Sequence, residues 1–443
     1  MNSRNRALAL AAVSILALAA ANSAAQAGAF GIREQSATAQ GLSFAGAASG
    51  SGGLSSMFWN PATVTMKPGW NSEYHISYIS PEAKIDPQPG TSPLLGTPPL
   101  SGNLVGSGDI GREGLIPVSY SSYQLSDSVW FGVASTVPYG LVTKPDAVWA
   151  GQLYARTSKV VSFNINPILG IKVTDWLSIA AGPAIQYFDV RLERATGLGA
   201  AAPTASLRGD DIDIGATAGL NITLPTQTQI GVGYRSSITH DLNGKLRLPG
   251  AVPIRIEADV SLPESVNVGV SQAITPYFRV HAGFEWTNWS RLKEPAVIGP
   301  ANVAVTSLIL NYKDGFFYSL GAEYDWTDRW TFRAGLAFED SPITDANRTP
   351  RIPDNDRIWA SLGATYKWSD KLSFDVAYSH IFIDDTRINI GPGRNDLETA
   401  PGGIPLTLVA DVRDANVNII SAALKYRWDD PKVAVPAPVV RKY

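Results

Sequence analysis

The chain has 443 residues, no cysteine and a formal net charge of −3 at pH 7. Without thiols it can form no disulfide and offers no thiolate nucleophile or metal ligand. Its weak negative charge, with no block of lysine or arginine, excludes nucleic acid as an expected partner. The hydrophobic fraction of 45% is ordinary for a soluble protein, yet the chain has 12 tryptophans and 40 glycines. Such a composition is typical of a sheet in which only alternate side chains face an apolar environment.

The N-terminus has the three parts of a secretory signal peptide. Arg4 and Arg6 form a short positive region, an apolar run covers residues 7–21, and residues 25–27 (AQA) provide a cleavage site. The run is shorter than the ~20 residues that a spanning helix needs, which disfavours the alternative of a membrane anchor. We therefore expect an exported protein whose mature chain begins at Gly28.

The next segment, residues 28–69, is rich in alanine, serine and glycine and shows no sustained alternation of apolar and polar side chains. One interpretation is a disordered lead-in to the first strand. The other is a plug inside a lumen, since small side chains let backbones approach closely. The motif Asn60, Pro61, Ala62 favours the plug, because proline fixes a turn and asparagine can bond its own backbone.

From about residue 70 onward, apolar and polar side chains alternate over fourteen segments. In one of them Trp330, Phe332 and Leu336 share a face, whereas Arg333 lies on the opposite face. This period of two predicts strands between an apolar and a polar environment. The segments begin near Asn71, Leu115, Val129, Lys159, Trp176, Asp211, Gln229, Ile254, Phe278, Gly315, Trp330, Arg357, Leu372 and Asn416.

The connections between these segments alternate in length. Short turns lie at 126–127, 174–175, 225–226, 275–276, 327–328 and 369–370, and long connections lie at roughly 81–113, 141–157, 195–209, 241–252, 291–313, 341–355 and 385–415. An even strand count with every second connection short predicts a transmembrane barrel with tight periplasmic turns and longer outer loops. A closed barrel leaves no strand edge unpaired in lipid. A soluble all-β protein is the alternative.

Several strings resemble the FadL family of outer-membrane transporters for fatty acids and other hydrophobic compounds. They are GLSFAG at 41–46, NPA at 60–62, LPE at 262–264, WTNWS at 286–290, WTFRAGLAFEDSP at 330–342 and IPDNDRIW at 352–359. The resemblance implies an all-β fold, a fourteen-stranded antiparallel transmembrane β-barrel with an N-terminal hatch in its lumen. The corresponding divisions are a signal peptide over 1–27, the hatch over 28–69, the barrel over 70–428 and a proline-rich C-terminal tail over 429–443.

The resemblance also implies a route. A hydrophobic ligand is captured at the outer loops, passes to a lumen pocket and leaves sideways through a kink in the third strand, with the hatch as the gate. The matching residues are Asn60, Pro61 and Ala62 in the hatch and Pro138, Tyr139 and Gly140 at the kink. Proline lacks the N–H of the strand ladder and glycine tolerates bends, so a break there has its own physical cause. The alternative is that these residues end the strand at the rim.

We expect a cationic side chain near the carboxylate of a bound fatty acid. The string VRLERATG, which resembles one in the fatty-acid members, offers Arg194 and its neighbour Arg191; a rim arginine that contacts lipopolysaccharide is the alternative. The fatty-acid members have a lysine shortly before the position of Tyr312, where this chain has apolar residues at 308–310. This departure fits an aromatic or neutral hydrocarbon as well as a fatty acid.

Passive transport of hydrophobic molecules, most of all long-chain fatty acids, is therefore the expected function, and a general porin or a structural barrel is the alternative. Porins begin with a strand, whereas a small-residue segment precedes the first strand here. The four histidines show no spacing typical of a metal pair or a catalytic arrangement, which disfavours an enzyme. We expect no cofactor, a monomer in the outer membrane of a Gram-negative bacterium, and contacts with membrane lipid, lipopolysaccharide and the barrel-insertion machinery.

Overall fold

A computed structural model describes residues 28–95, 104–197, 199, 201–391, 399–400 and 404–430. The predicted signal peptide lies outside the described residues, as does the predicted tail from residue 431 onward. No helix in the described part of the chain has the length and hydropathy to cross a bilayer.

Strands make up most of the described chain. They are β1 (Trp70–Pro87), β2 (Gly114–Ser126), β3 (Val129–Thr136), β4 (Gly140–Thr143), β5 (Thr157–Lys172), β6 (Leu177–Ala195), β7 (Thr204–Thr223), β8 (Thr228–Arg235), β9 (Ile238–Arg247), β10 (Ile254–Leu262), β11 (Ser265–Thr275), β12 (Phe278–Thr287), β13 (Ala296–Ile298), β14 (Ala304–Ser307), β15 (Gly315–Asp325), β16 (Trp330–Asp340), β17 (Arg357–Lys367), β18 (Leu372–Ile383), β19 (Thr386–Ile390), β20 (Thr399–Ala400), β21 (Ile404–Pro405) and β22 (Leu408–Arg427).

These stretches form fourteen barrel strands, because four strands are interrupted. The pairs β3 and β4, β8 and β9, β10 and β11, and β18 and β19 each continue one strand across a short break, while β13–β14 and β20–β21 are hairpins within outer connections. Neighbouring strands are antiparallel, and β22 closes the sheet on β1 from Asn71↔Arg427 to Pro87↔Ala410. The predicted fourteen-stranded antiparallel barrel is confirmed.

The barrel wall has an apolar outer face. On β16 the side chains of Trp330, Phe332 and Leu336 are exposed, whereas Ala337 and Glu339 on the opposite face are buried. Exposed aromatic side chains also lie beside the short turns, as the girdle of a membrane barrel requires. They are Trp176, Tyr277, Trp326, Trp330, Trp368 and Trp428.

Strand bounds differ from the prediction mainly at the outer ends. β7 begins at Thr204 rather than near residue 211, and pairs with β6 from Ala195↔Thr204 onward. The connection predicted over 195–209 therefore shrinks to 196–203, and the one over 241–252 shrinks to 248–253. In these outer extensions the outward face is polar, so they lack the apolar outer face of a membrane-spanning strand although the backbone ladder continues.

The segment 28–69 lies inside the barrel, which confirms the plug and rules out the disordered lead-in. It holds the short α-helix α1 (Ala37–Gln40) and three 3₁₀ helices (Ala47–Ser49, Gly53–Phe58 and Pro61–Met66). The remaining 3₁₀ turns, Pro93–Leu95, Trp289–Arg291 and Pro300–Asn302, belong to outer connections. Nearly all of residues 28–65 are buried.

Glycines of the wall let the hatch pack backbone against backbone. A Cβ on Gly231 or Gly233 would lie 1.8 Å from the carbonyl oxygen of Ala48 or Trp59, respectively. Only glycine permits so close an approach. An added Cβ would also contact hatch backbone at Gly269, Gly283, Gly321, Gly335 and Gly363, and hatch side chains at Gly132, Gly170 and Gly219. The wall is therefore shaped around the hatch over most of its circumference.

Candidate functional site

The third barrel strand is interrupted between β3 and β4. Against β5, the step from Thr136 to Gly140 on this strand corresponds to the shorter step from Asn164 to Val161. The third strand therefore carries one extra residue, a β-bulge. Pro138 lies within it and has no N–H to donate to a ladder.

This break leaves a gap in the barrel wall. β3 pairs with β2 as far as Ser119↔Ser135. Beyond that point residues 114–118 of β2 pair with β1, and β4 pairs with β5. No ladder joins 114–118 to β4 in the part of the chain that the structure describes.

The first residues of the hatch bind the broken strand from the lumen side. The backbone N–H of Ile32 donates to the carbonyl of Pro138 over 2.8 Å, and the N–H of Gly140 donates to the carbonyl of Phe30 over 2.9 Å. Between them Gly31 faces Tyr139 as an antiparallel bridge. The hatch therefore supplies backbone partners at the break.

The side chain of Gln35 completes this contact. Its amide nitrogen donates to the carbonyl of Val137 over 2.6 Å, and its oxygen accepts from the N–H of Val137 over 3.1 Å. The hydroxyl of Tyr120 on β2 donates to the Gln35 carbonyl over 2.9 Å. Gln35 therefore links the hatch to both sides of the gap.

Two of the strings noted in the sequence hold the beginning of the hatch. Glu339, from WTFRAGLAFEDSP, accepts from the backbone nitrogen of Gly28 over 3.0 Å, and its carboxylate lies 3.3 Å from Arg33. Asp354, from IPDNDRIW, accepts from the N–H of Ala29 over 3.1 Å. Sequence reasoning did not identify these roles, because a carboxylate near a strand end has no distinguishing local pattern.

The strings LPE and WTNWS also meet. Pro263 and Glu264 separate β10 from β11, and Glu264 accepts from the side-chain amide of Asn288 over 2.7 Å. The next residue, Trp289, is buried against the hatch. The hydroxyl of Tyr139 donates to the Pro263 carbonyl over 3.3 Å, so this break lies beside the kink.

An aromatic cluster surrounds the beginning of the hatch. The ring of Phe30 lies 5.0 Å from Trp289, 5.9 Å from Tyr139 and 6.5 Å from Phe188, measured between centroids. A cavity of about 70 Å³ adjoins it. Its lining comprises Gly28, Gly31, Ile32, Arg33, Phe58, Pro138, Tyr139, Arg235, Ser265, Asn267, Glu285, Thr287, Trp289 and Glu339.

The hatch motif Asn60, Pro61, Ala62 lies at a different place, against β7. The Asn60 oxygen accepts from the N–H of Ala62 over 3.0 Å, and its nitrogen donates to the carbonyls of Ala48 (2.7 Å) and Leu220 (2.8 Å). Proline suits the first position of a helix because its missing N–H is not needed there. The motif fixes the hatch to the wall; its part in gating stays a prediction.

The two predicted ligand arginines lie near the outer end of β6. Arg191 is half-exposed and forms an ion pair with Glu193, while Arg194 is half-buried. Neither lines the cavity beside the kink, whereas Arg235, which sequence reasoning missed, does. The described residues contain no cluster of three or more histidines or carboxylates that could hold a metal ion.

Comparison with known proteins gives concordant matches. The sequence model of the family described as "Outer membrane protein transport protein (OMPP1/FadL/TodX)" matches residues 18–428. A long-chain fatty acid transport protein of Salmonella typhi is 27% identical over 398 residues, which cover 82% of this chain and 89% of that protein.

Two solved structures share the fold. A Pseudomonas aeruginosa FadL homologue has a TM-score of 0.82 at 21% identity, covering 90% of this chain and all of the other. The Ralstonia pickettii toluene transporter TbuX has a TM-score of 0.65 at 18% identity, again over 90% of this chain. These identities support the fold alone, whereas the family match spans most of the sequence. The chain therefore belongs to the OMPP1/FadL/TodX family, whose members transport hydrophobic compounds, and it is a β-barrel of the Gram-negative outer membrane.

Proposed function

We propose that this protein carries long-chain fatty acids passively across the outer membrane, from its outer loops to the lumen and then sideways through the gap beside β4. The observation that supports this most directly is the gap itself, which the N-terminal residues of the hatch bridge from the lumen side. The curated relative from Salmonella typhi is named as a long-chain fatty acid transport protein.

The energetics favour a sideways exit. A fatty-acid tail gains ~0.8 kcal/mol for each CH₂ that it moves from water into an apolar site. Release into water would cost the same free energy that the tail gained on entering the apolar site. Release through the wall transfers the tail into hydrocarbon instead, so no covalent chemistry or energy source is needed.

Phe30 is the residue that the tail has to replace. The adjoining cavity of about 70 Å³ can hold a few water molecules but is too small for a long alkyl chain. A tail therefore fits only where Phe30 now packs against Trp289, Tyr139 and Phe188. Displacing Phe30 breaks the backbone bonds that join the hatch to the kink and uncovers the gap.

A neutral aromatic or aliphatic hydrocarbon is the second candidate ligand. The residues at 308–310 are apolar, and Leu310 packs against the apolar cluster around Phe30. A site that lacks a charged side chain at this position suits a ligand without a charged head.

A reversible cross-link tests the gating step. The chain contains no cysteine, and Gly31 and Tyr139 face each other in an antiparallel bridge without hydrogen bonds between them. Such pairs have Cα atoms ~4.5 Å apart, within the range of a disulfide. We expect oxidised Gly31→Cys/Tyr139→Cys barrels to lose uptake of labelled palmitic acid, and a reductant to restore it.

The matched control joins two wall strands instead. Ser72 and Ser121 are paired across β1 and β2, with their hydroxyl oxygens 2.6 Å apart. Oxidised Ser72→Cys/Ser121→Cys barrels should transport normally. Undiminished uptake through fully cross-linked Gly31→Cys/Tyr139→Cys barrels would reject the proposed route.

A further inference from the structure

Arg235 is a buried arginine that faces the lumen beside the kink. It is the last residue of β8, on the same face as Gly231 and Gly233, and only 8% of it is exposed. Its Nη2 donates to the carbonyl of Phe58 over 3.2 Å, and its guanidinium carbon lies 4.8 Å from the centroid of the Phe58 ring. Its Nη1 lies 3.3 Å from the side-chain amide of Asn164. All of these partners are neutral.

Other buried basic side chains of the lumen are neutralised. Nitrogen-to-oxygen distances are 2.9 Å between Arg33 and Glu285, 2.6 Å between Lys425 and Asp375, and 2.5 Å between Arg333 and Glu323. In contrast, no carboxylate lies within ion-pair distance of Arg235 in the described ranges. Burial of a charge without a counter-charge is unfavourable, so this position is suited to receive an anion.

The surroundings of Arg235 match an amphipathic anion. It lines the cavity beside Tyr139, together with the neutral polar side chains of Ser265, Asn267 and Thr287. The two carboxylates of the lining, Glu285 and Glu339, are both paired with Arg33. The aromatic cluster around Phe30 adjoins the same cavity. The formal charges of the lining cancel, but Arg235 is the arginine of the cavity that makes no ion-pair contact among the described residues, and an apolar cluster lies beside it.

We propose that Arg235 binds the carboxylate of the ligand at the lumen side of the gap, while the tail occupies the place of Phe30. This inference rests on the proposed lateral route and adds a selectivity-determining residue to it. A carboxylate head is small enough for the existing cavity, whereas the tail is not. Arg235 then sets a preference for carboxylic acids over neutral molecules of the same length.

Binding of a matched pair of ligands to the purified full-length barrel tests the role of Arg235. The probes are radiolabelled palmitic acid and cetyl alcohol, which share one chain length and differ in the head group. Loss of a charge-assisted hydrogen bond predicts at least about tenfold weaker binding of the acid to Arg235→Gln, with unchanged binding of the alcohol. Arg235→Lys keeps the charge and should keep the preference for the acid.

The control variant is Arg279→Gln, which alters a lumen arginine already paired with Glu323 and Asp325. It should leave the ratio of acid to alcohol binding unchanged. A second variant, Asn267→Asp, leaves Arg235 intact and adds a competing carboxylate to the same cavity, so it should weaken acid binding only.

The outcomes separate the two proposals. Equal effects on both ligands in Arg235→Gln, or in Asn267→Asp if Arg235→Gln does not fold, would overturn the role of Arg235. A wild-type barrel that binds neither ligand would instead contradict the proposed function.

Discussion

Glu34 is a buried carboxyl group in the hatch, next to the residue that binds the kink. Its side chain is fully buried, and both carboxyl oxygens lack a hydrogen-bond partner among the described residues. Burial raises the pKa of Glu34 to about 7, and the nearby Glu339 adds to this, while the charges of Arg33 and Arg357 act in the opposite direction. Near neutral pH this group is therefore close to its midpoint of protonation.

The raised pKa predicts a hatch that loosens as pH rises. In a released hatch Glu34 is solvated and titrates near 4.5, its ordinary value. Glu34 keeps its proton in the seated hatch up to about pH 7. The free-energy preference for the seated over the released hatch that this proton provides is therefore complete below about pH 4.5, declines between about pH 4.5 and 7, and is lost above about pH 7. At ~1.4 kcal/mol per pKa unit the loss is on the order of 3 kcal/mol.

Hydrogen exchange of the amides in residues 28–36 measures this effect. We expect faster exchange at about pH 8 than at about pH 5, after correction for the intrinsic rate. Glu34→Gln, which has the same shape and no charge, should show corrected rates independent of pH. A pH dependence that survives in Glu34→Gln would assign the effect to another group.

Single residues differ in how far sequence could predict their roles. Asn60 and Pro61 form a helix start that depends on neighbouring residues alone, so their local geometry was accessible. Strand alternation shows that Arg235 faces the lumen, but it does not show that no carboxylate stands opposite. That fact depends on strands distant in the chain and on the path of the hatch.

At the scale of elements, the break in the third strand is the feature with the clearest consequence. In Pro138→Val/Gly140→Val the strand regains a backbone N–H, and valine at position 140 favours extended geometry. We expect the strand to straighten and fatty-acid uptake to be lost at unchanged abundance in the outer membrane.

Growth on palmitic acid as sole carbon source, together with uptake of the labelled acid, measures the effect of straightening. The control, Pro225→Val, restores a backbone N–H in the exposed short turn between β7 and β8, away from the outer loops, and should leave uptake unchanged. Normal uptake by the kink variant would show that the break is not needed for exit.

Sequence predicted the membrane-spanning parts of the strands better than their outer ends. Between lipid and lumen the two faces differ, so a period of two is visible. At the outer end of β6, Arg191 and Glu193 form an ion pair on the side away from the lumen, so the outward face is charged and no longer has the apolar pattern of a membrane-spanning strand. The interruption at residues 236–237 has two serines, which give no signal comparable to Pro138.

In the whole molecule, one set of residues closes the barrel wall and a different set fills its lumen. Closure was predictable, because an even number of strands with alternating connections leads to a sealed sheet. The small side chains of the hatch left both a disordered lead-in and a plug open, and the motif at 60–62 favoured the plug in the lumen. Its direction was not predictable, since the contacts of Gly28 with Glu339 and of Gly69 with Gln124 are made across the finished barrel.

Deleting residues 28–62 should convert the barrel into an ion-conducting pore. The wall closes through β1 and β22 without the hatch, so the shortened protein should still fold. The emptied lumen would then be lined by the glycines that now contact the hatch and by the charged groups Arg279, Glu323 and Asp375. A lumen with this polar lining should fill with water. Planar bilayers should show stable single-channel conductance for the deletion variant and near silence for the full-length protein. An equally silent deletion variant of verified barrel structure would mean that something other than the hatch closes the lumen.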